Sequence, residues 1–268
     1  MNVMPLAARL ARSGYVLNGY CSMPSAAAVE IYARQGFDCV TLDLEHGSIG
    51  FDTAVSMLQA MAVVDVVPMA RIPAVDAAQI GMLLDSGVLG ITCAMIESAA
   101  QAEALVQACR YPPRGARSLS RSTRATLVHG VAYNGEANDA VSVFAMIESP
   151  AGMRELEAIA AVPGIDGLYF GSIDYVTALL GRFPAHDRPD REIDAAIADA
   201  SQRIVASCAA HRIIAGMNAT SAQVAGRRLA EGFRFITLSS DTRALAVQAK
   251  AWVDGARALA QELGVATK

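Results

Sequence analysis

Residues 39–47 read Cys39-Val40-Thr41-Leu42-Asp43-Leu44-Glu45-His46-Gly47. A short, largely apolar run followed by polar residues and glycine is typical of a buried strand that ends in a loop. In an α/β barrel, catalytic groups collect at such strand exits. Two carboxylates and a histidine at one exit indicate metal binding or proton abstraction, and the structural alternative is a capped turn with a solvated histidine.

Apolar, β-branched runs of this kind recur at intervals that suit alternating strands and helices. The eight runs are residues 15–21, 39–44, 66–72, 88–95, 141–147, 167–170, 213–217 and 235–238. Helical periodicity separates most of them, at residues 56–61, 75–84, 153–161 and 194–210. This alternation predicts an α/β fold, a (β/α)8 TIM barrel rather than a doubly wound sheet. Because no linker or composition shift divides the chain, we expect a single domain over residues 1–268.

Two segments break the alternation. Residues 111–139 open with Pro-Pro-Arg-Gly and carry arginines among Ser and Thr residues, which predicts a functional loop or an interface. Arg121 and Arg124 in this segment have two interpretations. Either at least one of them reaches the barrel rim and binds a carboxylate of an acidic co-substrate, or they pair with acidic groups across a subunit interface. Residues 182–191 are polar and contain proline, which predicts a surface loop.

The composition excludes several classes of protein. Hydrophobic residues make up 53% of the chain and charged residues 18%, which favours a heavily buried barrel or a homo-oligomer over a disordered chain. The net charge of −4 gives no sign of nucleic-acid binding. No apolar stretch approaches the ~20 residues of a membrane span, and the first residues lack the apolar core of a signal peptide. We therefore expect a cytoplasmic protein without membrane or nucleic-acid partners.

The cysteines and lysines narrow the chemistry further. The five cysteines are scattered without a CxxC pair or zinc-ligand spacing, so we expect them to pack as small apolar residues. Only two of the 22 basic residues are lysines, Lys250 and Lys268. A Schiff-base aldolase needs a lysine inside its barrel, whereas Lys250 lies in a segment with a helical pattern. The sequence therefore argues against an imine mechanism.

Polar residues also follow later strands: Arg71 the third, Glu148 the fifth and Asp174 the sixth. A barrel brings these strand ends to one rim. Two carboxylates from adjacent strands, with open positions left over, suit a hard divalent cation such as Mg²⁺ or Mn²⁺. Such a cation could chelate a 2-oxo acid through its carboxylate and keto oxygens. Arg71 would then stabilise the developing enolate oxygen, and a neutral His46 could remove a C3 proton.

Seven short motifs occur in an order typical of one enzyme family. They are Gly36-Phe37-Asp38, the DLEHG segment at residues 43–47, Arg71-Ile72-Pro73, Leu84-Asp85-Ser86-Gly87, Pro113-Arg114-Gly115-Ala116-Arg117, Ile147-Glu148 and Gly171-Ser172-Ile173-Asp174. Along almost its whole length the chain resembles the HpcH/HpaI aldolase family. The resemblance implies a class II aldolase on a TIM barrel that uses a divalent metal (Mg²⁺, Mn²⁺ or Co²⁺). Its partners would be small molecules, a pyruvate or oxaloacetate enolate and an aldehyde or acyl thioester.

The resemblance also implies roles for individual residues. His46 would be the base and Arg71 the enolate stabiliser, and Glu148 with Asp174 would bind the metal. Asp85 would raise the basicity of the histidine. Because Asp85 ends a predicted helix, it would lie at the opposite end of the barrel unless a neighbouring subunit supplied it. Family members commonly form hexamers with exchanged C-terminal helices, so we expect a hexamer or trimer.

Three departures from the family pattern bear on substrate choice. Met146 stands where glutamine is usual, which would remove a polar contact to the bound 2-oxo acid. Ser172 and Ile173 stand where a Pro-Ala pair is usual, and they place a bulkier side chain near the expected substrate carboxylate. Ala94 replaces a common proline. We expect the metal chemistry to survive these changes and substrate-binding contacts at Met146, Ser172 and Ile173 to differ.

Three functions therefore remain open. The leading hypothesis is reversible aldol cleavage of a 4-hydroxy-2-oxo acid by a metal-dependent lyase. The second is a citrate-synthase-like condensation of oxaloacetate with acetyl-CoA, of the kind used in siderophore synthesis. The third is a catalytically inactive barrel that serves as a binding protein.

Overall fold

The computed structural model describes residues 3–183 and 190–265. Eight parallel strands close into a barrel in sequence order, and the first strand also pairs with the eighth. The strands are β1 (Val16–Cys21), β2 (Cys39–Asp43), β3 (Val67–Ile72), β4 (Gly90–Cys93), β5 (Ser142–Ile147), β6 (Gly167–Phe170), β7 (Ile214–Ala219) and β8 (Phe235–Ser240). This closed order confirms the predicted (β/α)8 barrel. Most of the surface loop predicted at residues 182–191 lies outside the described residues.

Helices connect the strands. In the described segments they are α1 (Leu6–Ser13), α2 (Ala26–Ala33), α3 (Phe51–Met61), α4 (Ala77–Asp85), α5 (Ala99–Cys109), α6 (Arg124–His129), α7 (Tyr133–Ala140), α8 (Pro150–Arg154), α9 (Leu156–Ala160), α10 (Ser172–Leu180), α11 (Arg191–His211), α12 (Ala222–Glu231) and α13 (Asp241–Glu262). Side chains of Ser25, Asp76, Ser98, Asp190, Ser221 and Ser240 accept hydrogen bonds from the first turns of their helices. These bonds replace partners that the first backbone N–H groups lack.

Residues 111–139 are more ordered than a plain loop, because they include α6 and α7. Thr123 caps α6, and the fully buried Tyr133 anchors α7 in the core. The two helices are six and eight residues long, too short to leave a clear apolar periodicity. The helix predicted at residues 153–161 likewise divides into two short helices, α8 and α9.

Alternate strand residues divide the core into two layers. Outward residues pack against the helices, and inward residues fill the barrel with Val16, Cys39, Val67, Met69, Leu89, Phe144, Met146, Tyr169 and Phe235. A buried polar group lies among the inward positions. Asn18 Nδ2 donates to Thr237 Oγ1 at 3.0 Å, and Asn18 Oδ1 accepts from Thr41 Oγ1 at 2.9 Å. These polar interior residues mutually satisfy their hydrogen bonds inside the apolar barrel.

All five cysteines are free and buried, as the sequence predicts. Lys250 lies on α13, where it forms an ion pair with Asp254 at 2.8 Å, and so it is not inside the barrel. Across residues 3–183 and 190–265, none of the helices combines the length and the apolarity needed to cross a membrane.

The final helix, α13, contacts β1, β8 and α2 within its own chain, but every residue from 242 to 259 is exposed. Asp241, its first residue, is buried and accepts hydrogen bonds from the backbone N–H groups of Ser22 and Met23. Beyond it, apolar side chains are exposed, among them Trp252, which is 68% accessible, and Leu259. An apolar surface of this kind fits the predicted exchange of C-terminal helices between subunits, and the oligomeric state stays a prediction.

Candidate active site

The best-defined feature at the carboxyl end of the barrel is an arginine held between two carboxylates. Asp43 ends β2 and lies opposite Arg71 in the register of β2 and β3. Arg71 Nε donates to Asp43 Oδ1 at 3.0 Å, and Arg71 Nη2 donates to Asp43 Oδ2 at 2.8 Å. The third nitrogen, Nη1, lies 3.0 Å from Glu45 Oε2. Because paired hydrogen bonds to a carboxylate fix the plane of a guanidinium, the direction of Arg71 is set by its neighbours.

The same contacts keep Asp43 and Arg71 in their charged forms. Burial by itself would raise the pKa of Asp43, but the hydrogen bonds and charge of Arg71 outweigh it and lower that pKa. Burial would lower the pKa of Arg71, but the bond to Asp43 and the neighbouring Tyr20, Asp43 and Glu45 raise it. Arg71 Cζ also lies 4.9 Å from the centre of the Tyr20 ring, in cation–π contact. Arg71 is therefore a fixed, permanently charged donor.

Two further carboxylates lie beside this arginine. Glu148 follows β5 directly, and Asp174 lies in the first turn of α10, which follows β6. Both line a cavity of about 100 Å³, together with Tyr20, Arg71, Met146, Tyr169, Phe170, Gly171, Ser172, Ile173 and Asn218. The structure thus brings the substrate-binding candidates Met146, Ser172 and Ile173 to the same cavity as Arg71 and both candidate metal ligands.

The environment of Glu148 disfavours its ionised form. Burial, together with the charges of Glu45 and Asp174, raises the pKa of Glu148 to about 7 in spite of a hydrogen bond from Met95. That bond joins Met95 N to Glu148 Oε1 at 2.7 Å. Met95 adopts a φ of 53°, which is in the left-handed region that a residue with a side chain rarely occupies. The local backbone is therefore strained at the point where it contacts the carboxylate.

These carboxylates fit a divalent cation. Glu148 is buried and Asp174 is exposed, and neighbouring negative groups gain from a cation placed between them. Within residues 3–183 and 190–265, no three His, Cys, Asp or Glu side chains converge into a complete metal-binding group. Glu148 and Asp174 would therefore supply two oxygen ligands, and water or substrate oxygens would fill the others. Such a shared coordination sphere is usual for hard cations at catalytic sites.

Gly171 leaves the space that Glu148 occupies. A Cβ atom at residue 171 would collide with the carboxylate oxygen Oε2 and the Cβ of Glu148. Gly171 directly follows β6, and its backbone N–H donates to the carbonyl oxygen of Ile147 at 3.0 Å. This bond holds residue 171 close to Glu148, the residue after Ile147. Glu148 can therefore occupy its position only if residue 171 has no Cβ atom.

We expect Gly171→Ala to lower the affinity for Mn²⁺ at least about tenfold and turnover about 100-fold, because small displacements of reacting groups are costly. Titration of Mn²⁺ by calorimetry and a turnover assay give the two quantities. Gly135→Ala is the matched control, since a Cβ there meets nothing within 4 Å. Equal Mn²⁺ affinity in both variants would contradict the steric argument.

His46 lies on the loop after β2, with its side chain 65% exposed and Nε2 3.9 Å from Glu45 Oε1. Its backbone N–H donates to Asp43 Oδ1 at 3.2 Å. Asp43 therefore anchors both the candidate base and the candidate enolate stabiliser. The imidazole itself lies at the rim of the barrel and is largely exposed to solvent.

Asp85 is separated from His46 within this chain. It ends α4, so it lies towards the amino end of β4, opposite the rim that carries His46. There Asp85 Oδ1 accepts from Arg117 Nη2 at 2.6 Å, and Arg117 packs on the rings of Tyr111 and Tyr133. The implied action of Asp85 on the histidine would need a neighbouring subunit, as the sequence argument expected.

Within its own chain, Arg124 binds carbonyl oxygens away from the catalytic rim, which speaks against the substrate-binding interpretation for this residue. Arg124 Nη2 donates to the carbonyl oxygen of Leu58 at 3.0 Å, and Nη1 donates to that of Ser86. Both carbonyls lie near helix ends at the amino end of the barrel. Arg121 borders the same face, along an open groove of about 910 Å³ between residues 121 and 134. The reason is that α6 folds this segment back under the barrel, and the interface interpretation stays a prediction.

Sequence reasoning did not find three residues that shape the cavity, Tyr20, Met95 and Asn218. Tyr20 and Asn218 occupy inward positions at the carboxyl ends of β1 and β7, so the period-2 alternation of their strands could have revealed them. Met95 acts through its backbone N–H, and a side-chain pattern carries no signal for such a contact.

A closed (β/α)8 barrel with an arginine, a histidine and several carboxylates at one rim defines a TIM-barrel protein with an acidic polar site. The model of the HpcH/HpaI aldolase/citrate lyase family matches residues 19–247. The chain belongs to this family.

Known relatives match this chain over nearly its full length. A hydroxypyruvate/pyruvate aldolase of Rhizorhabdus wittichii is 34% identical over 91% of this chain and 94% of its own. The crystal structure of a family protein from Burkholderia cenocepacia J2315 has 28% identity and a TM-score of 0.83, covering 93% of this chain and 98% of that one. The citrate synthase SbnG has 25% identity and a TM-score of 0.83, covering 96% and 99%. The relatives thus include both an aldolase and a citrate synthase.

Proposed function

We propose that the protein is a divalent-metal-dependent aldolase that reversibly cleaves a 4-hydroxy-2-oxo acid through a pyruvate or oxaloacetate enolate. One observation carries the proposal: Arg71, fixed by Asp43 and Glu45, lines the same cavity as Glu148 and Asp174. A relative named hydroxypyruvate/pyruvate aldolase supports the same chemistry. An aldehyde would be the second substrate.

Glu148 and Asp174 would hold the metal, and Mg²⁺, Mn²⁺ and Co²⁺ are the candidates. When bound, the cation would supply a Lewis acid that polarises the keto group of the 2-oxo acid. The protein would hold the cation in a partly buried setting. The same burial raises the pKa of Glu148 in the metal-free protein.

Arg71 would face the C2 oxygen, where negative charge develops as the enolate forms. A donor that is already oriented needs no reorganisation at the moment of reaction, so its stabilisation is greatest in the transition state. Asp43 and Glu45 hold Arg71 in place before substrate arrives. Their role is therefore to position the arginine.

His46 would exchange protons with the C3 carbon. In cleavage, His46 would take the proton of the C4 hydroxyl, the C3–C4 bond would break with its electron pair passing into the enolate and the aldehyde leaving, and the protonated His46 would deliver that proton to C3 of the product. In condensation, His46 would remove a proton from C3, the enolate would attack the aldehyde carbon, and the protonated His46 would return the proton to the new alkoxide. The exposed imidazole at the rim is free to turn towards C3.

The test of the proposal is enolisation without an electrophile. Pyruvate is incubated with the protein and Mn²⁺ in D₂O, and loss of the methyl proton signal is followed by NMR. We expect exchange that ends after exhaustive treatment with EDTA and returns with Mn²⁺. Exchange that persists after chelation would overturn the metal role, and no exchange at all would favour an inactive barrel used as a binding protein.

We expect His46→Ala to lower the rate of this exchange about 100-fold or more, in the range of general-base contributions. Binding of Mn²⁺ should stay near the wild-type affinity, because His46 is not among the residues that line the carboxylate cavity. His211→Ala is a suitable control, since His211 pairs with Glu157 on the outer surface. Wild-type exchange in His46→Ala would mean that another group is the base.

The second candidate function is a citrate-synthase-like condensation of oxaloacetate with acetyl-CoA. It is favoured by the likeness to the citrate synthase SbnG over nearly the whole chain, and by Met146, Ser172 and Ile173 in the cavity. Incubation with oxaloacetate and acetyl-CoA, followed by a colorimetric assay for free thiol, separates the two functions. Without thiol release, the condensation is eliminated.

We also propose a homo-oligomeric, cytoplasmic enzyme, a hexamer or trimer. The exposed apolar side chains of α13 support a further subunit against this helix. Light scattering on the intact chain measures the assembly directly.

A further inference from the structure

Carboxylates engage Arg71 along the edges of its guanidinium plane. Nε and Nη2 donate to Asp43, and Nη1 lies 3.0 Å from Glu45. A guanidinium carries five N–H groups in one plane, so these three contacts leave two N–H groups for a ligand. Hydrogen bonds along the edges resist movement within that plane more strongly than movement out of it. The group that covers a face of the guanidinium therefore decides how firmly the two free N–H groups are aimed.

One face of the guanidinium lies over the ring of Tyr20. The Cζ atom of Arg71 is 4.9 Å from the centre of that ring. Tyr20 lies on β1, packs against the barrel interior and lines the same cavity as Glu148. A cation over an aromatic face is attracted by the electrons of the ring, and the attraction is stronger where water is excluded. The ring thus restrains Arg71 in the direction in which the carboxylates restrain it least.

The ring, rather than the hydroxyl group, is the part of Tyr20 that acts on Arg71. The hydroxyl is buried and makes no hydrogen bond of ordinary geometry within the described part of the chain. The hydroxyl of Tyr169 lies nearby and lacks such a bond as well. Burial raises the pKa of Tyr20, so the phenol is neutral. A neutral hydroxyl without a hydrogen bond to Arg71 cannot orient it, which leaves the ring as the acting group.

Other aromatic rings hold Tyr20 in place from below. Tyr169 on β6 stacks against it, with ring centres 6.4 Å apart and an angle of 24° between the planes. Tyr169 and Phe235 meet edge to face at 6.0 Å, and Phe235 lies 4.8 Å from Phe144. All three belong to the apolar filling of the barrel. Tyr20 is therefore supported by a close-packed interior that does not yield easily.

We infer that Tyr20 is a positioning residue for Arg71: its ring holds one face of the guanidinium, so that the two free N–H groups point at the developing enolate oxygen. The inference rests on the proposed aldolase function. Tyr20 would touch neither the metal nor the reacting atoms, and it would affect catalysis only through Arg71. Its effect should appear in kcat rather than in KM, because the charge that Arg71 stabilises develops in the transition state.

The experiment measures exchange of pyruvate methyl protons in D₂O with Mn²⁺ over a range of pyruvate concentrations. We expect Tyr20→Leu to lower kcat of exchange about ten- to 30-fold, the effect of a desolvated cation–π contact, with KM within about twofold. Tyr20→Phe keeps the ring and should retain kcat within about threefold. Tyr15→Leu, at an exposed tyrosine just before β1, is the matched control and should change neither constant. Tyr20→Met gives the same comparison if the leucine variant does not fold.

A double-mutant cycle tests whether Tyr20 acts through Arg71. In an Arg71→Gln background no cation lies over the ring, so Tyr20→Leu should change the exchange rate less than about twofold. An equal loss in both backgrounds would show that Tyr20 acts independently of Arg71 and would overturn the inference. A loss in Tyr20→Phe as large as that in Tyr20→Leu would overturn it too, because the hydroxyl would then be the acting group.

The wild type separates this inference from the function on which it rests. Melting temperatures with and without Mn²⁺ show whether each variant is folded and keeps its metal response. Wild-type exchange in a folded Tyr20→Leu protein would overturn the inference and leave the aldolase function standing. No exchange in the wild type would remove the aldolase function and this inference with it.

Discussion

Arg71→Lys is expected to lower kcat for aldol cleavage by about 100- to 1000-fold, the usual effect of removing one donor to a developing oxyanion. A lysine has a single ammonium group, so it cannot contact Asp43 and Glu45 and also face the enolate oxygen. The guanidinium of Arg71 contacts Asp43 and Glu45 at 2.8–3.0 Å through separate nitrogens. Steady-state kinetics of cleavage, with proton exchange as a second readout, gives the loss.

Arg34→Lys is the matched control for this substitution. Arg34 forms an exposed pair with Glu30, four residues earlier on the chain, and its replacement should leave kcat within about twofold. Bound Mn²⁺ should be the same in Arg71→Lys as in the wild type, because Arg71 is not a metal ligand. If Arg71→Lys kept near-normal turnover with its metal bound, the arginine could not be the enolate stabiliser.

Glu148→Gln is expected to abolish stabilisation by Mn²⁺ while leaving the metal-free protein at least as stable as the wild type. A ligand at 100 times its Kd raises the free energy of unfolding by about 2.7 kcal/mol, which the wild type should show. The variant lacks one of the two proposed metal ligands, so Mn²⁺ should add almost nothing to its free energy of unfolding. The metal-free variant also loses a carboxylate whose ionised form is disfavoured by burial and by Glu45 and Asp174, so its melting temperature should not fall.

Melting temperatures at pH 8 with and without Mn²⁺ measure both effects, and they do not depend on activity. Glu103→Gln, on the exposed face of α5, controls for the general loss of one carboxylate and should respond to Mn²⁺ as the wild type does. Asp174→Asn should resemble Glu148→Gln. A full Mn²⁺ response in both variants would place the metal elsewhere.

The strands were predictable because a parallel barrel buries both faces of each strand, which leaves continuous apolar runs in the sequence. The run at residues 167–170 coincides with β6, and the others differ from the observed strands by a few residues at their ends. The short helices α6 and α7 were missed because their few apolar residues contact the core singly, as Tyr133 does. Periodicity needs several turns before it can be recognised.

The sequence also placed several chemical groups at one rim, since residues that follow parallel strands must meet there. It could not give the distances between side chains. The hydrogen bonds of Arg71 to Asp43 depend on the register of β2 and β3, and the bond from Met95 to Glu148 depends on a left-handed backbone. The sequence pattern placed Arg121 and Arg124 in an unusual segment without saying which end of the barrel that segment covers.

The amino-acid sequence was therefore enough to predict the barrel, the rim that carries the polar residues and the types of side chain available there. These follow from local patterns and from the fixed direction of parallel strands. That Asp85 pairs with Arg117 at the opposite end, and that Asn218 lines the cavity of Glu148 and Asp174, follows from the tertiary structure alone. The physical reason is that such contacts join residues distant in sequence, and packing of the whole barrel sets which of them come within hydrogen-bonding distance.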